Sequence, residues 1–332
     1  MRPSDPSFET ALQAAIDSKT KPLGALGRIE GLAAQIARVQ RSLAPAMDRC
    51  RLTIFAGDHG IAAEGVSAFP TEVTRQMVLN FLGGGAAANV FARANGVEVA
   101  VVDAGGAGEA LAHPDLISLR IGAGTANSAI GPAMTAARVD RALAEGRRLG
   151  AAGDCQAVAF GEMGIGNTSA AALIAVKLTG IAVGDLVGRG TGVDDAGLAR
   201  KRAVLLRAAA RTGARLDGVT ALQEYGGFEI AMMAGAMLGA AEAGRMVIVD
   251  GFIATAAAAA ALDMEPGVRG AMVFAHLSEE AGHGRLLSAL GAEPLLSLGM
   301  RLGEGTGALL AWPLVRAAAA MLREMASFES AG

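Results

Sequence analysis

Residues 157–178, AVAFGEMGIGNTSAAALIAVKL, contain the pattern that determines the fold: a short apolar run, a glycine-rich turn and an alanine-rich helix. Four other apolar runs are likewise followed by a turn and a helical segment. They are RLTIFA (51–56), EVAVVD (98–103), MVIVD (246–250) and AMVFA (271–275). Strands that alternate with helices predict an α/β fold with a mostly parallel sheet covered by helices on both faces. Ligands of such sheets bind where the carboxyl ends of the strands meet.

Composition limits the class of protein. The 332 residues suffice for one large α/β domain or two smaller ones. The chain has 29 basic and 32 acidic residues and a net charge of −3. We therefore expect neither nucleic acid nor an anionic membrane surface as a partner. Cys50 and Cys155 form no C-x-x-C motif, which argues against a disulfide scaffold or a zinc ribbon.

Localisation is predicted from the apolar segments. The N-terminal stretch of residues 1–21 lacks the apolar core of a secretory signal. The charge-free segment 251–262 is too short to cross a bilayer. Together these segments predict a cytoplasmic protein.

Helical periodicity at both ends of the chain predicts the domain organisation. Residues 7–18 and 29–44 have the spacing of amphipathic helices, and residues 306–325 predict a long helix broken near its start by Trp312-Pro313. We expect residues 1–332 to form one domain. Its large α/β part covers about 45–300, and a small helical part combines about 1–44 with 306–332.

Two glutamates stand in glycine-rich turns that each precede a helix. Glu162 lies in FGEMGIGNTS and Glu304 lies in LGMRLGEGTGA. Flanking glycines let the backbone approach a ligand and adopt positive φ angles, so such a carboxylate is suited to moving a proton in a small-molecule site. The alternative is a pair of ordinary turns with solvated acids.

Two glycine loops are candidates for binding an anion. In GEMGIGNTS (161–169), Asn167 and Thr168 are predicted to cap a helix whose free N–H groups face the ligand. In VGRGTGVDDAGLARK (187–201), Arg189 or Lys201 is placed to meet a phosphate. The alternative for the second loop is a helix cap by an aspartate with a solvated basic face. Neither loop matches a Walker A sequence or the dinucleotide fingerprint, which argues against a dehydrogenase.

The sequence lacks the residues that metal-dependent reactions need. Asp58 and His59 in AGDHG resemble part of a phosphoesterase site, but too few other histidines are available for a two-metal centre. The strand–Asp turns VVDAGGAG and VIVDGFIAT lack the paired acids of a magnesium diphosphate site. We therefore predict no metal and no cofactor, and interpret Asp58 and His59 as a hydrogen-bonded turn that shapes the pocket wall.

Eight segments, in order, resemble one enzyme family, nicotinate-nucleotide:5,6-dimethylbenzimidazole phosphoribosyltransferase. They are TKPLGALGRIE, AGDHGIAAEGVSAFPTEVTRQMVLNFLGGGAAANVFAR, FGEMGIGNTSAAAL, VGRGTGVDDAGLARK, EYGGFEIAMMAGAM, VDGFIATAAA, AHLSEEAGH and LGMRLGEGTGA. The resemblance runs from about Thr20 to Trp312. One departure is TKPLGALGR, where the family more often has a second proline and a serine.

The resemblance implies a Rossmann-like fold, a homodimer and a reaction. Nicotinate mononucleotide and dimethylbenzimidazole would give α-ribazole 5′-phosphate, the lower-ligand nucleotide of cobalamin, and nicotinate. It implies that Glu304 is the general base and that Glu162 is a second acid near the ribose. It assigns the benzimidazole pocket to Ser67, Gln76 and Leu302. It assigns the phosphate and ribose contacts to Gly161, Gly164, Ile165, Gly190, Lys201 and Ser278; a helix-surface charge remains the alternative for Lys201, and a helix cap for Ser278.

Two alternatives remain open at this point. One is the same transfer to another aromatic base, because apolar pockets discriminate by only about 1–3 kcal/mol per methylene. The other is an inactive homologue that binds α-ribazole, although a pure binding protein has no need for a base such as Glu304.

Overall fold

The computed structural model describes residues 5–190 and 192–331, and its elements alternate as the sequence predicts. The strands are β1 (Cys50–Gly57), β2 (Glu98–Gly105), β3 (Leu116–Ser118), β4 (Ala157–Met163), β5 (Met246–Val249), β6 (Met272–Phe274), β7 (His276–Leu277) and β8 (Leu296–Ser297). The helices are α1 (Pro6–Asp17), α2 (Arg28–Gln40), α3 (Glu72–Leu82), α4 (Ala87–Asn95), α5 (Ala136–Ala151), α6 (Asn167–Thr179), α7 (Val183–Leu186), α8 (Asp195–Ala209), α9 (Gly218–Tyr225), α10 (Phe228–Glu242), α11 (Phe252–Met264), α12 (His283–Ala289), α13 (Thr306–Glu324) and α14 (Phe328–Ala331). Two 3₁₀ helices cover Gly60–Glu64 and Pro266–Ala271.

The main sheet has the order β3-β2-β1-β4-β5-β6, and every pair of neighbouring strands in it is parallel. The chain runs outward from β1 to β3, returns to place β4 beside β1 and continues in the opposite direction. Ligands of doubly wound sheets bind where the strand order reverses in this way. The predicted α/β class is confirmed, and the reversal beside β4 predicts a binding crevice near the carboxyl end of that strand.

Both faces of the sheet are buried. Along β1, Leu52 and Ile54 belong to one apolar cluster and Phe55 belongs to the other, as the alternation of side chains in a strand requires. Helices α1, α2, α4 and α13 contribute to the first cluster, and α5, α6, α10 and α11 contribute to the second. Because both faces are covered, the central strands are mostly apolar, as β5 (MVIV) shows.

Helices α5 and α10 pack with their backbones in contact. A Cβ added at Gly146 would lie 2.0 Å from the carbonyl oxygen of Met232, and one at Gly239 would lie 2.0 Å from that of Arg147. Glycine is therefore required at these positions, since any side chain would push the helices apart. This close packing explains part of the high glycine content.

Helix α13 differs from the prediction because it continues through Pro313 without a break. Proline removes one helical N–H, but Leu309, Trp312 and Val315 on either side of it are fully buried against the sheet. This packing holds the two halves in one helix. Helix α13 contacts α2, α4, β4 and β5. The division into a large and a small part remains a prediction, and residues 1–4 and 332 of the small part lie outside the described residues.

Within the part of the chain that the structure describes, no helix has the length and apolar character needed to cross a bilayer.

Candidate active site

A cavity of about 290 Å³ lies at the carboxyl ends of β4 and β5. The segments that line it lie at the ends of four strands or just after them: 162–168 at the end of β4, 250–254 after β5, 276–280 at β7 and 301–304 after β8. Phe69, Val73 and Met77 form an apolar side of the cavity. The size is near the lower end of small-molecule sites. The two glycine-set glutamates, which are far apart in the sequence, meet in this cavity.

Glu162 lies near the end of β4 and is only 7% exposed. The side-chain amide of Asn167 donates a hydrogen bond to its Oε2. Its other oxygen lies against Gly303, where an added Cβ would be 2.3 Å away. The carboxyl group is therefore fixed on both sides, by an amide from α6 and by the backbone of the turn that carries Glu304.

Glu304 is the central residue of a left-handed turn. Its φ angle is 63°, and Gly303 and Gly305 each have φ of 83°. This conformation costs roughly 1–2 kcal/mol for a residue with a side chain. The turn touches β4, because a Cβ added at Gly161 would lie 2.4 Å from the carbonyl oxygen of Glu304. Strain retained at one residue of a cavity is a feature of functional sites.

Both glutamates have raised pKa values. Burial, followed by the charges of Asp250, Glu229 and Glu304, raises the pKa of Glu162 to about 8, although a backbone hydrogen bond from Glu304 acts in the opposite direction. Burial and the charge of Asp250 raise the pKa of Glu304, and a backbone hydrogen bond from Ala88 opposes them. Oε2 of Glu304 is buried without a hydrogen-bond partner among the described residues. An unpaired carboxylate oxygen is available to accept a proton.

Asp250, which directly follows β5, completes a group of three acids and was not predicted from the sequence. It is 3% exposed, and its carboxylate accepts hydrogen bonds from the N–H groups of Gly305 and Ala308. Nε2 of His276 lies 3.9 Å from Oδ1 of Asp250. Its position at the carboxyl end of a predicted strand was the signal that would have identified it.

A small polar cavity of about 20 Å³ adjoins the main one. Gly164, Ile165, Gly190 and Lys201 line it, so the structure brings four of the predicted phosphate contacts together. Nζ of Lys201 donates to Oγ1 of Thr168 over 2.9 Å. Lys201 is only 1% exposed, so the alternative of a helix-surface charge is wrong. Burial lowers its pKa, and the charge of Glu280 opposes this shift.

The predicted capping residues have other roles. Helix α6 begins after Gly166, whose φ is 98°, and has no side-chain cap, because Asn167 and Thr168 bind Glu162 and Lys201 instead. The start of α6 therefore remains open toward both cavities. In the second loop, Asp194 caps α8 by accepting from the N–H of Gly197.

Ser278 lines the main cavity and caps no helix, because α12 begins five residues later. Its N–H donates to Nδ1 of His283, and its Oγ accepts from the N–H of Glu280. Burial lowers the pKa of His283 to about 3, so the ring is neutral and Nε2 donates to Thr255. This network fixes the loop between β7 and α12.

The predicted base-binding residues are only partly assembled. Leu302 lines the main cavity and is 57% exposed. Ser67 lines the small cavity instead, and its Oγ accepts from the N–H of Phe69. Gln76 is exposed on α3, beside Met77, which lines the main cavity. The assignment of Ser67 and Gln76 to a base pocket remains a prediction.

Asp58 and His59 lie behind the glycine loop that follows β4. Asp58 accepts from Oγ1 of Thr74 and from the N–H of Ala107, over 2.6 and 2.7 Å. Oγ1 of Thr74 also accepts from the N–H of Ile165. His59 forms a buried pair with Glu229 over 2.6 Å. The hydrogen-bonded turn expected from AGDHG is present, and it supports the loop from outside the cavity.

Comparison with known proteins places the chain in a family. The family model DBI_PRT, described as phosphoribosyltransferase, matches residues 1–332. The chain belongs to this phosphoribosyltransferase family. A protein of Ralstonia nicotianae named nicotinate-nucleotide--dimethylbenzimidazole phosphoribosyltransferase is 55% identical, with 99% of this chain and 94% of that protein covered. A protein of Aromatoleum aromaticum with the same name is 53% identical, with 99% and 96% covered.

Solved structures give the same result. A crystal structure of CobT from Thermus thermophilus superimposes with a TM-score of 0.95 at 47% identity, and covers 98% of this chain and 99% of that one. A second crystal structure from the same organism, titled as a nicotinate-nucleotide-dimethylbenzimidazole phosphoribosyltransferase, gives 0.93 at 45% identity, with 99% of each chain covered. The phosphoribosyltransferase family predicted from the motifs is confirmed.

Proposed function

We propose that the chain transfers the phosphoribosyl group of nicotinate mononucleotide to 5,6-dimethylbenzimidazole. The products are α-ribazole 5′-phosphate, the lower-ligand nucleotide in cobalamin biosynthesis, and nicotinate. The observation that carries the proposal is the buried carboxylate of Glu304, whose Oε2 is unpaired at the edge of a largely apolar cavity. The names of the relatives, which cover nearly the whole chain, support the same reaction.

The chemistry requires one base and no metal. The bond between the anomeric carbon and the pyridinium nitrogen breaks, and its electron pair neutralises that nitrogen, so nicotinate is a good leaving group. One benzimidazole nitrogen forms the new bond while the other loses its proton to Glu304. A pKa raised by burial makes Glu304 a stronger base than an ordinary glutamate.

Glu162 has a different task in this proposal. Because its pKa of about 8 exceeds neutral pH, its carboxyl group is mostly protonated there and does not compete with Glu304 for the proton. A neutral carboxyl group donates a hydrogen bond. We assign that hydrogen bond to the ribose, beside the bond that breaks.

The phosphate is assigned to the end of the main cavity at Gly164, Ile165 and Gly190, which line both cavities. The start of α6 has no side-chain cap and lies on this side of the cavity, and Lys201 supplies a positive charge beside Gly190. Ser278, on the main cavity, is assigned to the ribose. A single phosphate does not require the magnesium ion that a diphosphate would require.

Oligomeric state and location are further parts of the proposal. We propose a homodimer, as the resemblance to the family implies, and a location in the cytoplasm, as the apolar segments of the sequence predict. Size-exclusion chromatography with light scattering tests the dimer: a mass of twice 33.3 kDa is expected, and a mass of 33.3 kDa would contradict it.

The choice of base has a structural alternative. The side of the cavity formed by Phe69, Val73 and Met77 is apolar and carries no group that would read a particular ring substituent. Removal of one methyl group from the base then changes the transition-state free energy by only about 1–3 kcal/mol. Benzimidazole and other aromatic bases are therefore expected to react as well, at lower rates.

Release of nicotinate, followed by HPLC, tests the reaction. The wild type should release nicotinate from nicotinate mononucleotide only when dimethylbenzimidazole is present. Glu304→Gln should lower the rate by about 10²–10⁴-fold, because the general base is lost. Glu293→Gln removes a carboxylate that is 76% exposed and should leave the rate unchanged. A normal rate for Glu304→Gln would refute the assigned base, and ligand binding without release for any aromatic base would favour the inactive binding protein.

A further inference from the structure

Asp250 connects the end of β5 to the turn that carries Glu304. Its Oδ1 accepts from the N–H of Ala308 over 2.9 Å, and its Oδ2 accepts from the N–H of Gly305 over 3.2 Å. Both oxygens of one carboxylate are therefore used by two N–H groups at the start of α13. Because Asp250 directly follows a strand of the sheet, these bonds attach the start of the helix to the most rigid part of the fold.

The turn held in this way is an unfavourable one. Gly303, Glu304 and Gly305 all have left-handed backbone conformations, and the cost falls on Glu304 because it carries a side chain. Such a conformation persists only where the surroundings determine it. The N–H bonds to Asp250 act on the residue directly after Glu304 and on the first turn of α13, so they resist relaxation of the turn.

We infer that Asp250 is a positioning residue for the phosphoribosyl transfer: its carboxylate fixes the turn of Glu304 through two N–H bonds. This inference rests on the proposed function for its kinetic consequence. Its geometric part concerns the turn alone.

The charge of Asp250 acts together with other groups on the cavity. Four other ionisable groups line the same cavity as Glu304. They are Glu162 near the end of β4, His276 in β7, Glu280 in the loop after β7, and Arg301 in the loop before the turn. The N–H of Ala88, at the start of α4, donates to Glu304. Burial raises the pKa of Asp250 itself, and His276 and the backbone N–H bonds to its carboxylate oppose that shift. Where Asp250 is ionised, its charge raises the pKa of Glu304, after burial itself. A neutral residue at position 250 should therefore lower that pKa.

Asp250→Asn tests whether Asp250 positions Glu304 and affects its pKa, or only stabilises the fold. An amide offers one acceptor oxygen, so one of the two N–H bonds is lost along with the charge. We expect kcat to fall by about 10- to 100-fold because the base is misplaced, while KM for both substrates changes little. The acidic limb of the pH profile of kcat should move to lower pH. A limb at the wild-type pH, or an unchanged kcat, would overturn the inference.

Two further variants serve as controls. Asp250→Glu keeps the charge at an altered length, so its kcat should fall while its acidic limb stays close to that of the wild type. Asp103→Asn changes another buried aspartate near the end of a strand, which accepts from the N–H of Gly106 outside the main cavity. It should leave the pH profile unchanged. A limb that moves equally in Asp103→Asn would show a general effect of buried aspartates and overturn the inference.

A titration without turnover keeps this inference distinct from the proposed function. Carbon-13 NMR of labelled glutamate, with the Glu304 signal identified by its loss in Glu304→Gln, reports the pKa of Glu304 directly. In Asp250→Asn this pKa should decrease, whether or not the protein releases nicotinate. An unchanged titration overturns the inference, whereas a missing reaction in the wild type overturns only the proposed function.

Discussion

The carboxylate of Glu162 occupies the space that a side chain at Gly303 would need: an added Cβ would lie 2.3 Å from Oε1. The relationship is reciprocal, because a Cβ at Gly161 would lie 2.4 Å from the carbonyl oxygen of Glu304. Each glutamate therefore has a glycine neighbour that makes room for the other turn. The two glycine-rich motifs, separated by about 140 residues, form one interlocked unit.

Gly303→Ala should disrupt this unit. The added methyl group meets the carboxylate of Glu162 and also has to adopt a φ of 83°. The backbone alone costs about 1–2 kcal/mol. We expect a larger loss of the free energy of unfolding in urea, and a fall in kcat because both glutamates move.

Gly299→Ala is the matched control. Gly299 has a φ of 67° but no atom within 4 Å of an added Cβ. It should show the backbone cost and a normal kcat. Equal stability and equal kcat in the two variants would contradict the interlocking of the turns.

Lys201→Met should weaken binding of the nucleotide. It removes the buried charge beside Gly190 and the hydrogen bond to Thr168 while keeping most of the apolar side chain. Hydrogen bonds to charged groups contribute about 1.5–3 kcal/mol, so we expect KM for nicotinate mononucleotide to rise by about 10- to 100-fold. KM for dimethylbenzimidazole should change little in the same steady-state assay.

Lys177→Met provides the comparison for this variant. Lys177 is also buried, at 2% exposure, but its Nζ donates to the carbonyl groups of Ala209 and Gly213 away from both cavities. It should lower stability without altering either KM. If the two lysine variants raise the KM of the nucleotide alike, the phosphate site is not at Lys201.

Glu162→Gln should change how stability depends on pH. The pKa of Glu162 is about 8 in the folded protein against an ordinary value of 4.5, so unfolding releases a proton between these values. The wild type therefore loses stability as pH rises through this window and levels off above it. Glutamine does not titrate, so the variant should gain up to about 4 kcal/mol relative to the wild type between pH 5 and pH 8.

Urea unfolding at pH 5, 6.5 and 8 checks this trend. Glu64 gives a control of opposite sign, because hydrogen bonds from Asn127 and Arg207 lower its pKa. Its contribution is complete above the unfolded pKa and is lost only as pH falls, so Glu64→Gln should show a constant difference over this range. A constant difference for Glu162→Gln as well would mean that Glu162 is ionised in the folded protein.

The sequence predicted the parts of the fold that repeat a local pattern. Apolar runs such as RLTIFA and MVIVD predicted β1 and β5, and the glycine turns after them predicted the edge at which the cavity lies. β3, β7 and β8 were missed: they have only two or three residues and, unlike β6 in AMVFA, no longer apolar run marks them. The prediction of a break at Pro313 was wrong, because the burial of Trp312 and its neighbours outweighs one missing hydrogen bond.

The sequence predicted the site residues that have glycine neighbours. It missed those that join the site only through tertiary contacts. Glu162 and Glu304 stand out because of their neighbours in the sequence. Asp250 contacts the turn of Glu304 through N–H groups more than 50 positions away, at Gly305 and Ala308. Asn167 was assigned to a helix cap, its common role, because the carboxylate that its amide binds is visible only in the folded chain.

The left-handed turn at Glu304 limits how this protein can be re-engineered. A library that searches for a different base at position 304 has to satisfy the backbone before the chemistry, because φ is 63° there. Asparagine and aspartate tolerate this conformation, whereas valine, isoleucine and threonine do not. Variation at position 304 should therefore be restricted to a few residue types, and most diversity is better placed at the apolar positions 69, 73 and 77, which face the incoming ring in the proposed reaction.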